Sequence, residues 1–121
     1  MFEVGIDLVE IDRIRRLVKR YGDRFLQRVY APRELEDSGG RTESLAARFA
    51  AKEAVIKALG SSQMDLRDIV VSREPGQRPV ISLEGRARAR AEALGVRHIA
   101  LSLTHSQTTA AASVMIQCDP A

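Results

Sequence analysis

Arg48-Phe49-Ala50-Ala51-Lys52-Glu53-Ala54-Val55-Ile56-Lys57-Ala58-Leu59-Gly60 closes the longest helical run in the chain. That run opens at Thr42-Glu43-Ser44, where Thr42 or Ser44 is placed to cap it, and stops at Gly60. Successive helical residues advance by about 100°. Leu45, Phe49, Ile56 and Leu59 therefore share one stripe, with Lys52 in its middle, Glu53 at its edge and Lys57 just beyond. A charge on a buried face costs free energy unless it is paired or bound to something. Two readings stay open. Glu53 and Lys57 have the favourable i,i+4 order for an ion pair, and Lys52 has a stem long enough to cross apolar surface and reach water. Alternatively, the charges face a ligand.

Toward the N-terminus, Val4 to Val9 reads as a strand. Asp7 lies inside it, and Gly5 permits close backbone approach. Ile11, Ile14, Leu17, Val18 and Tyr21 fall at helical spacing up to Gly22. Phe25, Leu26 and Val29 suggest a short second helix, and Pro32 the first turn of a third, which Gly39-Gly40 ends. Toward the C-terminus, Ile69–Val71 and Val80–Leu83 read as strands joined by the turn Pro75-Gly76-Gln77-Arg78-Pro79. Arg86 to Leu94 is helical, stopping at Gly95, and His98–Leu103 and Ala110–Ile116 are strands. The result is one α+β domain over residues 1–121, a mostly antiparallel sheet packed against one long helix. So thin a sheet with one covering helix calls for a second subunit to finish its burial.

Charge is unevenly placed. From Arg13 to Arg28 seven basic residues face one acid, Asp23, giving +6. The whole chain is +3, so the remainder is −3. Such a block suits an anionic partner or is a solvated helix face. No run is long and apolar enough to span a membrane, and acids in the first ten residues argue against a secretory signal. The single cysteine, Cys118, excludes an internal disulfide and fits a reducing, cytoplasmic setting.

Asp7 either caps the helix after it or binds a cation. An Asp on a strand and a Glu on a helix packed over it, Asp7 and Glu53, suit Mg²⁺, which takes few protein oxygens and completes its shell with water and phosphate. Arg48, Lys52 and Lys57 would supply positive charge for those phosphates. His98 and His105 are the only histidines, and no cysteine or histidine cluster has zinc spacing, which argues against a zinc site.

Two segments carry a resemblance. Gly5-Ile6-Asp7-Leu8-Val9-Glu10-Ile11 and Arg48 to Gly60 resemble the signature segments of the holo-[acyl-carrier-protein] synthases, the short phosphopantetheinyl transferases. Ser102-Leu103-Thr104-His105-Ser106 is a weaker third match. The resemblance implies transfer of 4'-phosphopantetheine from coenzyme A to a serine of an acidic apo acyl carrier protein of fatty acid or polyketide synthesis. Adenosine 3',5'-bisphosphate would leave, with Mg²⁺ as cofactor. It implies Asp7 and Glu53 as metal ligands, Lys57 as the cation stabilising developing charge, and Arg48, Lys52, Arg78, Thr104 and His105 as coenzyme A contacts. The base would be Glu53 or a water activated by the ion. It also implies a homotrimer with active sites at subunit interfaces, and carrier docking on Arg13, Arg20, Arg24 and Arg28.

Three positions depart from the family pattern. Gln77 separates Gly76 from Arg78-Pro79, Ala31 stands where a threonine is common, and no aromatic lies near Thr109. A nucleic-acid-binding module is the main competing reading of the basic block. That block lacks stacking aromatics and any recognised binding motif. A noncatalytic scaffold is a second, and the intact Asp7, Glu53 and Lys57 set argues against it. If the block docks an acidic carrier, Arg13→Glu or Arg20→Glu raises the carrier concentration giving half-maximal rate and leaves coenzyme A binding unchanged. Rising salt lowers the wild-type rate on carrier. Steady-state kinetics against each substrate checks this.

Overall fold

The computed structural model describes residues 1–120. The order is β1 (Phe2–Glu10), α1 (Ile11–Tyr21), α2 (Asp23–Val29), α3 (Pro32–Ser38), α4 (Thr42–Leu59), β2 (Ile69–Ser72), β3 (Val80–Leu83), α5 (Gly85–Leu94), β4 (Val96–His105) and β5 (Thr109–Cys118), with a 3-10 turn at Leu66–Asp68. One antiparallel sheet has the order β1-β5-β4, and β2-β3 form a separate antiparallel hairpin. The expected elements all form. None of the described helices is long and apolar enough to cross a membrane.

Helix α4 is buried on nearly every side, not along one stripe. Ala46, Ala47, Ala50, Ala51, Ala54 and Ala58 are buried together with Leu45, Phe49, Val55 and Leu59. A helix covered all round is a core element. Its alanines let the sheet approach, and the closest approach is at Gly5 of β1. A Cβ there would lie 1.9 Å from the Ala54 carbonyl oxygen. The glycine thus sets the distance between β1 and α4, and Asp7 sits two residues on, on the same face of the strand.

The caps differ from expectation. Arg41 occupies the N-cap of α4 without a side-chain bond, and neither Thr42 nor Ser44 caps it. The Ser44 hydroxyl instead accepts from the Arg48 guanidinium. Nor does Asp7 cap α1. The Ile11 N–H donates to Thr108 O at 2.9 Å, so the β4–β5 loop holds the start of α1. At α3, Pro32 leads the first turn and Glu34 does the capping, its Oε1 accepting the Ala31 N–H at 3.0 Å. Alanine at that position leaves only this half of the reciprocal cap. Gly60 and Gly95 end α4 and α5 in left-handed conformations, as the sequence predicts.

The other face of the three-stranded sheet is bare. Phe2, Val4, Ile6 and Leu8 of β1 are each 59–68% exposed, and Met115 of β5 is 48% exposed. The register sets Val4 opposite Met115, Ile6 opposite Ser113 and Leu8 opposite Ala111. Four large apolar residues alternating along an edge strand form one exposed patch of a kind monomers seldom carry. Gly5→Ala should lower stability by about 3 kcal/mol, the upper range for overpacking, because its Cβ meets helix backbone and no side chain can turn away. A denaturant midpoint with unchanged slope checks this.

Candidate active site

The charges of α4 go to three different places. Lys52 is wholly buried. Its Nζ donates to Glu34 Oε1 at 2.6 Å, to Leu66 O at 2.9 Å and to Ile69 O. Those three bonds use all its protons. Burial pushes the Lys52 pKa down, and the Glu34 carboxylate opposes that shift. Lys52 therefore neither reaches water nor faces a phosphate, and the expectation that it contacts coenzyme A is corrected. A fully desolvated ammonium needs a buried acid, and Glu34 is that acid. Sequence reasoning missed Glu34. The signal was present, since Pro32 and Glu34 occupy the N1 and N3 positions where a reciprocal cap is built.

Lys57 does not pair with Glu53. Its Nζ donates to Asp7 Oδ1 at 3.0 Å and to Ile6 O at 3.0 Å, joining α4 to β1. Glu53 lies close enough to Asp7 for the two to repel. Its pKa is raised, first by burial and then by Asp7, while Lys57 and Arg13 oppose the rise. Arg13 stands over the Phe49 ring at 5.6 Å, one helical turn before Glu53. Two partly buried carboxylates and one ammonium thus meet where β1 crosses α4. No group of three or more acidic, histidine or cysteine residues gathers among the described residues. Two carboxylates fit a hard cation that keeps several waters and takes substrate oxygens, which describes Mg²⁺.

A basic cleft of about 800 Å³ lies elsewhere. Arg41, Arg48, Arg73 and Arg78 line it with Thr104 and His105, and Glu43 is the only acid in its wall. Four of the five expected coenzyme A contacts therefore meet in one place. Gln77 does not remove Arg78. Its N–H donates to Glu74 O at 2.9 Å and its carbonyl accepts from Arg73 Nε at 3.0 Å, so the turn closes with Arg78 on the wall. Arg41 and Arg73 were missed because isolated arginines in loops carry no periodic signal.

The cleft and the carboxylate pair are apart. Glu53 follows Arg48 by five residues, about 7.5 Å along the axis and about 140° around it, and Lys57 follows by nine, about 13.5 Å and half a turn. Asp7 belongs to β1 and Thr104 to β4, the two opposite edges of the sheet. The docking arginines lie on α1 and α2. Arg13, Arg20, Arg24 and Arg28 are all exposed, and none forms an ion pair among the described residues.

The raised Glu53 pKa has a definite sign. The folded state favours the protonated acid, so stability falls as pH rises from the unfolded carboxylate's range through Glu53's own higher value. A bound cation offsets that cost. Asp7→Asn should move the Glu53 pKa down by removing the like charge. Carboxyl-detected NMR titration of both forms checks the direction.

The family model of the 4'-phosphopantetheinyl transferase superfamily matches residues 3–112. The holo-[acyl-carrier-protein] synthase of Koribacter versatilis is 43% identical over 119 residues, covering 93% of this chain and 95% of the relative. That of Roseiflexus castenholzii is 47% identical over 110 residues, covering 84% and 81%. The crystal structure of the Helicobacter pylori synthase in complex with coenzyme A superposes with a TM-score of 0.85 at 32% identity, over 94% of this chain and 99% of that one. The synthase–coenzyme A complex from Chronobacterium ammoniagenes gives 0.87 at 30% identity, over 99% of both chains. By sequence over nearly its whole length and by fold, this chain belongs to the holo-[acyl-carrier-protein] synthases of the 4'-phosphopantetheinyl transferase superfamily.

Proposed function

We propose that the chain transfers 4'-phosphopantetheine from coenzyme A to a serine of apo acyl carrier protein, with Mg²⁺, releasing adenosine 3',5'-bisphosphate. The observation that carries this reading is the meeting of Asp7, Glu53 and Lys57 at the β1–α4 crossing in a chain of this family. Arg48, Arg78, Thr104 and His105 receive the nucleotide end of coenzyme A in the basic cleft. Asp7 and Glu53 hold the Mg²⁺, which when bound neutralises pyrophosphate charge. Lys57, kept in place by the Ile6 carbonyl, faces the charge that develops on the transferred phosphoryl group. The serine Oγ forms a bond to the phosphorus bearing pantetheine, and the bond from that phosphorus to the adenosine bisphosphate oxygen breaks. Glu53 or a water beside it accepts the serine proton. Arg13 and Arg20 on α1, with Arg24 and Arg28 on α2, dock the carrier's acidic surface. The free, buried Cys118 suits a cytoplasmic enzyme.

The active form in this reading is a homotrimer closed by the bare sheet face, with Phe2, Val4, Ile6 and Leu8 against neighbouring copies. A cyclic assembly uses unlike surfaces on its two sides. It can set the β1 edge of one chain, with Asp7 and Lys57, beside the β4 edge of the next, with Thr104 and His105. The separation of the two half-sites within one chain supports this arrangement.

Incubation with coenzyme A, Mg²⁺ and apo carrier should add one phosphopantetheine to the carrier, read by mass spectrometry. An unmodified carrier would contradict the reading. Asp7→Ala and Glu53→Ala should each remove most activity at low Mg²⁺ while the protein stays folded. Lys57→Ala should lower kcat by about 10²-fold with a smaller effect on coenzyme A affinity. Light scattering should give three times the 13.4 kDa chain mass, and Ile6→Asp should reduce it.

A further inference from the structure

Among the described residues, strand β2 has β3 on one side and no strand on the other. Three charged side chains take the place of the missing strand. Lys52 Nζ donates to Ile69 O, Glu34 Oε2 accepts the Val71 N–H at 3.0 Å, and Arg48 Nε donates to Val71 O at 3.3 Å. Glu34 Oε1 is shared between Lys52 Nζ at 2.6 Å and the Ala31 N–H at 3.0 Å. Glu34 and Lys52 are both fully buried, and no buried side-chain nitrogen or oxygen among the described residues lacks a partner.

Arg48 is both a rung of this ladder and part of the cleft wall. Its Nε is spent on Val71 and one terminal nitrogen on Ser44. The other terminal nitrogen forms a long ion pair with Asp37 at 3.9 Å, beyond hydrogen-bond distance, on the side of the guanidinium that meets the cleft. Beyond Val71 the same strand leads into Arg73, whose N–H donates to Asp37 Oδ2 at 3.4 Å, and then into the turn that carries Arg78. Val71 is thus held through its N–H by Glu34 and through its carbonyl by Arg48. Wherever Glu34 and Lys52 fix β2, the Arg48 guanidinium and the Arg73–Arg78 wall follow.

We propose that Glu34 and Lys52 are positioning residues for the nucleotide end of coenzyme A, acting through Val71 and Arg48 and never touching the substrate. This rests on the reading that the basic cleft takes that nucleotide. The pair explains why a lysine occupies the middle of a buried stripe: an alkyl residue there would leave the Ile69 carbonyl and the Glu34 carboxylate without their shared partner.

The test compares the wild type, Arg48→Gln, and the paired variant Glu34→Gln with Lys52→Met, which removes both buried charges at nearly constant volume. Adenosine 3',5'-bisphosphate and coenzyme A are titrated by calorimetry with Mg²⁺ present, and kcat is measured at saturating coenzyme A. Amide exchange is followed over residues 71–79. The paired variant should fold and bind both ligands at least 10-fold more weakly. Its kcat should stay within about 3-fold and its KM for carrier should be unchanged, while exchange over 71–79 rises. A merely structural pair would lower the active fraction and leave affinity alone. Wild-type affinity in the folded paired variant overturns the proposal if Arg48→Gln weakens binding. If Arg48→Gln also binds normally, the cleft reading itself fails. Should the paired variant not fold, Glu34→Asp keeps the charge but draws the carboxylate back from Val71. Weakened binding there upholds the proposal and unchanged binding overturns it.

Discussion

A helix buried on nearly every side must find a partner for each charge it buries, and this requirement organises the molecule. Lys52 has no route to water, so a second buried charge, Glu34, and two backbone carbonyls surround it. Removing one partner of such a pair typically costs about 3–5 kcal/mol, because the other is left buried and uncompensated. Arg48 is satisfied on one side by Val71 and Ser44 and opens on the other to a cleft. Glu53 and Lys57 reach the helix surface where Asp7 waits on β1. Of the four charges beyond the first turn, one is fully consumed by the fold, one is shared between fold and cleft, and two are left at the β1 crossing.

The elements were legible because their punctuation is local. Gly22, Gly39, Gly60 and Gly95 end helices, and alternation marks the strands. Gly5 announced a close approach, and the Ala54 carbonyl supplies it. What escaped were relations between distant segments. The helical wheel put Lys52 on the buried stripe correctly, yet could not show that Glu34, 18 residues earlier, closes over it. The i,i+4 rule favoured Glu53 with Lys57, but Asp7, 50 residues away in sequence, lies closer to the ammonium than any such rule can register. The caps failed for a related reason: Ser44 had a better use holding Arg48, and Thr108 arrived from the far end of the chain to meet Ile11.

Apart from Lys52, which the core consumes, and the docking arginines of α1 and α2, the expected site residues fall into two clusters rather than one place. Asp7, Glu53 and Lys57 cluster, and so do Arg48, Arg78, Thr104 and His105, on opposite faces of α4 and toward opposite edges of the sheet. The bare apolar face between the two edges gives a physical reason for copies to associate. In the proposed trimer, burial of that face and completion of the catalytic centre are the same event.

Subunit mixing addresses that claim most directly. Asp7→Ala disables the metal half-site and Arg48→Ala the nucleotide half-site, each inactive alone. Once exchange of subunits has been verified by mass spectrometry of labelled chains, the mixture should regain a fraction of wild-type transfer, because some interfaces then combine two intact halves. Exchange without any return of activity would contradict a site shared between chains.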